Sequence, residues 1–293
     1  MINRITPERL EEVIATEEYF QPKGTSLTIC VLTLENGFNV TGESASASLD
    51  NFDEELGKKL ARIKAKEKIW PLEGYLLKQK LHDNGEGDYK FYSQLGQDKW
   101  VLEMTGFKRG GYFVEFGATN GKSLSNTYIL EKKFDWQGLC AEPNPSYFTG
   151  LVKNRTCTVR QDCIGQYSGE QVEFIFANVY GGMKKHQFSD QHAEKRQPFV
   201  DRGNTGVLTT ISLHDFLLAN NAPKQIDYVS IDTEGSEYEI LKHFPFEKWD
   251  ISLFTIEHNY TEQRGKIFEL MTSHGYSRKM VEFDDWYYRG DVK

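Results

Sequence analysis

Five short apolar runs, YFVEF (112–116), GLCAE (138–142), CTVRQ (157–161), IDYVSID (226–232) and ISLFTIE (251–257), recur with helix-length segments between them. Runs that are apolar on both faces suit strands covered from above and below. Their alternation with segments such as SLHDFLLAN (212–220) and SEYEILKHF (236–244) predicts an α/β fold, a largely parallel sheet with helices on both faces. Four of the runs end in, or lead straight into, an acid: Glu115, Glu142, Asp232 and Glu257. Ligands bind at the carboxyl ends of strands in such sheets. Four carboxylates along one edge stay buried only if a ligand, metal or donor meets them. That edge is the candidate site.

The first run and its turn narrow the ligand. Glu115 sits inside GYFVEFGATNGKS (111–123), and Gly117 and Gly121 follow it. Glycine permits positive φ and close approach of a ligand to the backbone. A helix is expected to open near Ser123–Asn126, and its free N–H groups suit a carboxylate. Glu142 ends the next strand, where an acid accepts both hydroxyls of a ribose. A dinucleotide site needs Gly-x-Gly-x-x-Gly to seat a pyrophosphate, and this turn reads Gly-Ala-Thr-Asn-Gly. An NAD(P) oxidoreductase therefore lacks its cradle. S-adenosylmethionine, with a ribose, an adenine and an amino-acid carboxylate but no phosphate, fits better.

The first 81 residues follow another pattern. Thr6-Pro7-Glu8 reads as a capped helix start with Leu10, Val13 and Ile14 on one face. SLTICVLTL (26–34), then Glu35-Asn36-Gly37-Phe38 and FNVTGES, reads as a hairpin closed by a type I′ turn at Asn-Gly. Asp50 is expected to open a basic amphipathic helix with Leu56, Leu60 and Ile63 inward, ending near Trp70-Pro71. This makes a small α+β helix-hairpin-helix module over 1–81. HDNGEGDY (82–89) reads as a linker and 90–293 as the large domain.

Bulk properties exclude some classes. A net charge of −8 opposes a general nucleic-acid surface. No apolar run approaches the ~20 residues that span a bilayer, and the N-terminus has no secretory apolar core, so a cytoplasmic, membrane-free protein is expected. Cys30, Cys140, Cys157 and Cys163 contain no CxxC pair and read as reduced structural thiols.

SQLGQD (93–98), YFVEFGATNGKSLSNTYILE (112–131), GLCAEPNP (138–145), IDYVSIDTEGSEYEIL (226–241) and FTIEHN (254–259) resemble the FkbM family of S-adenosylmethionine-dependent methyltransferases, over about residues 90–293. The resemblance implies a Rossmann-like seven-stranded methyltransferase sheet and methyl transfer to an oxygen, a hydroxyl of a sugar, glycan or small metabolite. Carried over by position, Glu115, Gly117 and Gly121 hold the methionine end, Glu142 the ribose, and Asp162 and Cys163 the adenine edge. Gln97, Ala118, Asn120, Ser125, Pro143 and Asn144 complete the cofactor side. TICVLTLENGFNVTGESASAS and KEKIWPLEGYLL resemble small uncharacterised proteins of tailed phages, over about 1–81. That resemblance implies a phage or prophage origin and leaves the module a protein partner or second copy as its natural target.

Methyl transfer requires aligning the acceptor and removing its proton. Asp232, Glu234 and His258 are the catalytic candidates. Asp232, Glu257 and His258 together offer oxygen and nitrogen donors for Mg²⁺ or another divalent ion. Without metal, His258 is the base, held by Glu257 or Asp232. Gln94, Gln97 and Asp98 form a polar cluster upstream of the first strand, equally suited to closing over a ligand or to an exposed helix start capped by Ser93. The long polar stretch 177–206 is expected to shape the acceptor site, with His186 and His192 on its surface. A non-catalytic phage interaction protein with a vestigial nucleotide-type site is the competing function.

Overall fold

The computed structural model describes residues 4–83 and 89–290. The chain divides into two compact units, Met1–Asp88 and Tyr89–Lys293. Most of the stretch expected as a linker lies outside the described residues. Among those described, no helix is long and apolar enough to cross a membrane.

In the first unit, α1 (Pro7–Glu12) begins as expected, with the Thr6 hydroxyl accepting the Arg9 N–H. Leu10 and Val13 are buried, but Ile14 leaves the helix and opens β1 (Ile14–Phe20). The cause is local: the Glu35 N–H donates to the Val13 carbonyl at 3.0 Å and draws the chain onto the hairpin. β2 (Leu27–Leu34) and β3 (Asn39–Ala45) complete a three-stranded antiparallel sheet in the order β1-β2-β3. The hairpin turn is not type I′. Only Gly37 has positive φ there, and its N–H donates to the Leu34 carbonyl, a type I turn closed by a glycine bulge.

The expected helix starts later than Asp50, and a further helix follows where it was expected to end. Ser48 caps a single 3-10 turn at Leu49–Asn51. Asp53 then caps α2 (Glu54–Glu67), and α3 (Ile69–Asp83) carries Trp70-Pro71 in its first turn, where the missing N–H has no helical partner to lose. The inward face of α2 also differs. Ala61 and Ala65 are buried, whereas Leu56, Leu60 and Ile63 are about half exposed. Gly42 of β3 decides this: a Cβ there would lie 2.1 Å from the Ala61 carbonyl oxygen, so the helix backbone rests directly on the strand.

The second unit opens with α4 (Gln97–Met104), β4 (Tyr112–Phe116), α5 (Tyr128–Phe134), β5 (Gln137–Ala141) and α6 (Pro145–Asn154). β6 (Thr158–Arg160), β7 (Cys163–Gly165), β8 (Gln171–Ile175), β9 (Gly182–Met183), α7 (Ala193–Asp201) and β10 (Thr205–Ser212) follow. α8 (Leu213–Ala219), β11 (Gln225–Ile231), α9 (Glu237–Lys242), β12 (Asp250–Glu257), α10 (Gln263–Ser273), β13 (Ser277–Val281) and β14 (Asp284–Tyr288) complete it.

Seven strands form one sheet in the order β13-β14-β12-β11-β4-β5-β6. β6, β5, β4, β11 and β12 run parallel, and β14 turns antiparallel against β12. This is the seven-stranded α/β sheet expected, with a four-stranded sheet β7-β10-β8-β9 beside it. Side chains of a strand alternate between faces. Val114 and Phe116 accordingly join the core that holds Phe216, Ile240 and Phe254, while Phe113 joins the opposite core of Trp100, Phe134, Trp136 and Tyr228. The same alternation sends Glu115 to the Phe113 side, into apolar surroundings.

Candidate functional site

Residues from the ends of β4, β5, β11 and β12 line one cleft of about 260 Å³, just below the usual small-molecule range of ~300–1,000 Å³. All four strand-end acids, Glu115, Glu142, Asp232 and Glu257, reach it. So do Gln97, Gly117, Ala118, Ser125, Pro143, Asn144, Asp162, Cys163 and Glu234, whereas Asn120, Gly121 and His258 do not line it.

Glu115 is an internal ion-pair partner. Its carboxylate accepts from Ser125 Oγ at 3.1 and 3.0 Å, from the Asn126 N–H at 2.7 Å and from Thr127 Oγ1 at 2.7 Å. The guanidinium of Arg155 lies 3.1 Å away and also binds Glu131 at 2.5 Å. With so many donors, Glu115 has little capacity left for a ligand. The free acceptor beside it is Asn126 Oδ1, buried in the cleft wall without a hydrogen-bond partner, while Asn126 Nδ2 donates to Ser230 Oγ at 2.9 Å.

The glycines permit close approaches within the protein. At Gly117, with φ of +69°, a Cβ would lie 2.0 Å from the Asp232 carbonyl oxygen; at Gly121, 2.6 Å from Leu151 and 2.7 Å from Arg155. They let the ends of β4 and β11 and the Arg155 side chain close up. Asn120 Oδ1 accepts the Lys122 and Ser123 N–H groups and shapes the turn, so α5 starts at Tyr128, not near Ser123.

Glu142 keeps acceptor capacity on both oxygens. Thr119 and Asn144 each donate one backbone N–H, both at 2.8 Å, one to each oxygen. That leaves a lone pair on each. Burial pushes its carboxyl up to about 7 against those donors. Asn144 also caps α6 through the Ser146 N–H. Cys163 is buried, and its thiol is pushed up to about 12, which makes it inert. Asp162 pairs with Arg160 at 3.1 Å at the cleft edge. Gln97 is occupied at both ends: Oε1 accepts the Leu95 N–H at 2.9 Å and Nε2 donates to Asp284 at 2.8 Å. Asp98 is buried and accepts the Tyr92 and Ser93 N–H groups, which fixes the segment before α4 rather than leaving an exposed helix start.

At the far end, oxygens of Asp232, Glu234 and Glu257 lie within 4.8 Å of one another. Burial and the Glu234 charge raise Asp232 well above the ordinary carboxyl range; burial and the Asp232 charge do the same to Glu257. Two such acids side by side disfavour full ionisation of both, because each adds to the cost of charging the other. Glu257 Oε2 is buried without a partner. His258 stands outside this group. Its Nδ1 accepts the Tyr260 N–H at 3.0 Å and its Nε2 faces Asp285 at 3.7 Å, so the structure does not bring it to the acids as a metal ligand or base.

The stretch 177–206 supplies a wall the sequence did not resolve. Tyr180, His192 and Lys195 line the cleft. His192 packs on Tyr180 with ring centroids 4.8 Å apart, and its Nδ1 lies 3.5 Å from Glu234. His186 faces Glu239 at 3.4 Å. Neither histidine is the surface residue expected. No residue spacing marks Tyr180 or Asn126; the only signal for the wall was the length of its segment.

Residues 115–278, more than half of the chain, match the family model of the methyltransferase FkbM domain. Residues 5–81 match that of the phage protein (N4 Gp49/phage Sf6 gene 66) family. No curated protein matches the chain in sequence. Among solved structures, a precorrin-6y C5,15-methyltransferase from Geobacter metallireducens GS-15 aligns at 13% identity with a TM-score of 0.37, covering 69% of this chain and 96% of its own. The human methyltransferase 10 domain containing protein aligns at 10% identity with a TM-score of 0.32, covering 67% and 81%.

Proposed function

This chain belongs to the FkbM methyltransferase family, and from that footing we propose that its cleft binds S-adenosylmethionine and serves methyl transfer to a hydroxyl oxygen of a sugar, glycan or small metabolite. The observation that carries the proposal is Glu142, a buried strand-end carboxylate with one backbone donor and one free lone pair on each oxygen. Two vicinal hydroxyls are the matching ligand. Asn126 Oδ1, a buried acceptor without a partner, suits the amino group of the methionine end better than the saturated Glu115. When bound, the cofactor supplies an electrophilic methyl group on a sulfonium.

The protein's own work is alignment and proton removal. The Asp232–Glu257 pair holds a site for the acceptor proton, and Tyr180 and His192 form the opposite face on which an acceptor ring rests. A divalent ion would find its oxygen donors in Asp232, Glu234 and Glu257, the hard ligands Mg²⁺ takes, without His258.

Calorimetry with S-adenosylmethionine and S-adenosylhomocysteine tests the reading. Binding of both is expected. Failure to bind either leaves the non-catalytic alternative, a phage interaction protein. Mass spectrometry of host glycans and metabolites incubated with labelled S-adenosylmethionine then identifies the acceptor.

A further inference from the structure

We infer that Arg196 is the resident counter-cation of the cleft's acidic end: it neutralises Glu234 from within the protein and fastens the 177–206 segment to the end of β11. Arg196 sits on α7 and its side chain is 2% exposed. Nη2 binds Glu234 Oε2 at 2.7 Å and Asp190 Oδ2 at 2.6 Å. Nη1 binds Asp190 Oδ1 at 2.8 Å and the Gln187 carbonyl at 3.3 Å, and Nε donates to the Tyr180 carbonyl at 2.8 Å. A guanidinium has five N–H donors, and these contacts engage all of them.

The contacts tie together three parts of the cleft. Tyr180 and Gln187 belong to the wall, Asp190 accepts the His192 N–H at 2.7 Å and so sets that ring's backbone, and Glu234 belongs to the acid group. Glu234 is held at a φ of +57°, a conformation a non-glycine residue keeps only when its surroundings enforce it. The two segments also touch closely: a Cβ on Gly235 would lie 2.9 Å from Ser189 Oγ, and one on Gly182 would lie 3.1 Å from Glu234 Cβ.

Two groups with metal-ligand spacing meet at Glu234: Asp190, His192 and Glu234 on one side, Asp232, Glu234 and Glu257 on the other. Arg196 bonds to members of the first and shares Glu234 with the second. A positive charge is therefore already built into the place where both groups would recruit one. The wall's part in taking an acceptor rests on the methyl-transfer reading; the ion pair and its electrostatic effect do not.

The test uses the full chain and Mn²⁺ as the probe, followed by electron paramagnetic resonance. Arg196→Met is expected to bind Mn²⁺ at least about tenfold more tightly than the wild type, the effect of deleting one adjacent positive charge. Adding Glu234→Gln should abolish the gain. Equal Mn²⁺ affinity in wild type and Arg196→Met, or a gain that survives Glu234→Gln, overturns the inference. Arg196→Gln replaces Arg196→Met should that variant fail to fold, and Arg196→Lys separates charge from fastening. It keeps the charge but has three donors for five contacts, so Mn²⁺ affinity should stay at the wild-type value while tryptic cleavage after Lys184 and Lys185 accelerates several-fold. Unchanged cleavage overturns the fastening role. Calorimetry of the wild type with S-adenosylhomocysteine judges the methyl-transfer reading separately.

Discussion

Arg155 and Glu115 form an ion pair at 3.1 Å with side chains 0% and 4% exposed. Glu115 stands near the end of β4, and Ser125 and Asn126, which donate to it, line the cleft. Although burial opposes it, Arg155 also holds the Glu131 carboxyl down to about 2, together with Lys132 and the Thr156 N–H. One arginine thus compensates two buried acids.

Arg155→Met should destabilise the large unit by about 3–5 kcal/mol, because it leaves Glu115 and Glu131 charged without a buried partner. Urea denaturation followed by tryptophan fluorescence measures this, since Trp100 and Trp136 lie in the adjoining core. A loss below about 1 kcal/mol, the scale of an exposed pair, contradicts it.

Glu115→Gln and Asn126→Ala should separate stability from ligand binding. The first lowers the unfolding midpoint with little change in S-adenosylhomocysteine affinity. The second costs about 1.5–3 kcal/mol of affinity, the value of a hydrogen bond to a charged group, and lowers stability only by the roughly 1 kcal/mol of its bond to Ser230. Calorimetry and thermal melts distinguish the two, and the reverse pattern restores Glu115 as the ligand anchor.

The affinity for S-adenosylhomocysteine should rise between pH 6 and 8. Burial raises Glu142 to about 7 in the free protein, above its ordinary value of 4.5, so its ionised form is disfavoured there. Its stability contribution is complete below about pH 4.5 and is lost as pH climbs through 7. Ribose hydroxyls donate to the ionised carboxylate, so binding draws the proton off and is stronger at higher pH. Calorimetry in buffers of different ionisation enthalpy should show proton release, which Glu142→Gln removes.

Gly117→Ala should disrupt the cleft more than its one added methyl suggests. The Cβ would fall 2.0 Å from the Asp232 carbonyl oxygen at a positive φ, so the ends of β4 and β11 must part. Overpacking costs about 1–3 kcal/mol and the backbone conformation about 1 kcal/mol more. A wild-type melting temperature with wild-type S-adenosylhomocysteine affinity refutes the close approach.

Gly42→Ala is the counterpart in the first unit, with the new Cβ 2.1 Å from the Ala61 carbonyl. Hydrogen exchange at β2 and β3 amides should accelerate while that of β11 stays unchanged. Equal protection in both variants places α2 further from the sheet than described.

The sheet and its acidic edge were legible because parallel strands advertise themselves as unbroken apolar runs, and Glu115, Glu142, Asp232 and Glu257 interrupt or end those runs. What the sequence could not show is which donors reach each acid. Arg155 stands 40 residues beyond Glu115, and nothing at short range tells a ligand anchor from half of an ion pair. His258 looked like a partner for Glu257 because neighbours in sequence look like neighbours in space; β12 ends at Glu257, and beyond it the His258 N–H donates to the Phe283 carbonyl while its ring faces Asp285. In α2, the leucine stripe implied the inward face by hydrophobicity alone, whereas a glycine on another element admitted the small alanines.

β1 occupies an edge of the first unit's sheet, and its exposed residues include Glu17 and Glu18, the former paired with Arg62 at 2.7 Å. An unpaired strand edge is a template for adding strands from other molecules, and charged side chains along it oppose such growth. Replacing both glutamates by threonine would keep the β propensity while removing the repulsion. The expected consequence is fibre-like self-association at concentrations the native sequence tolerates.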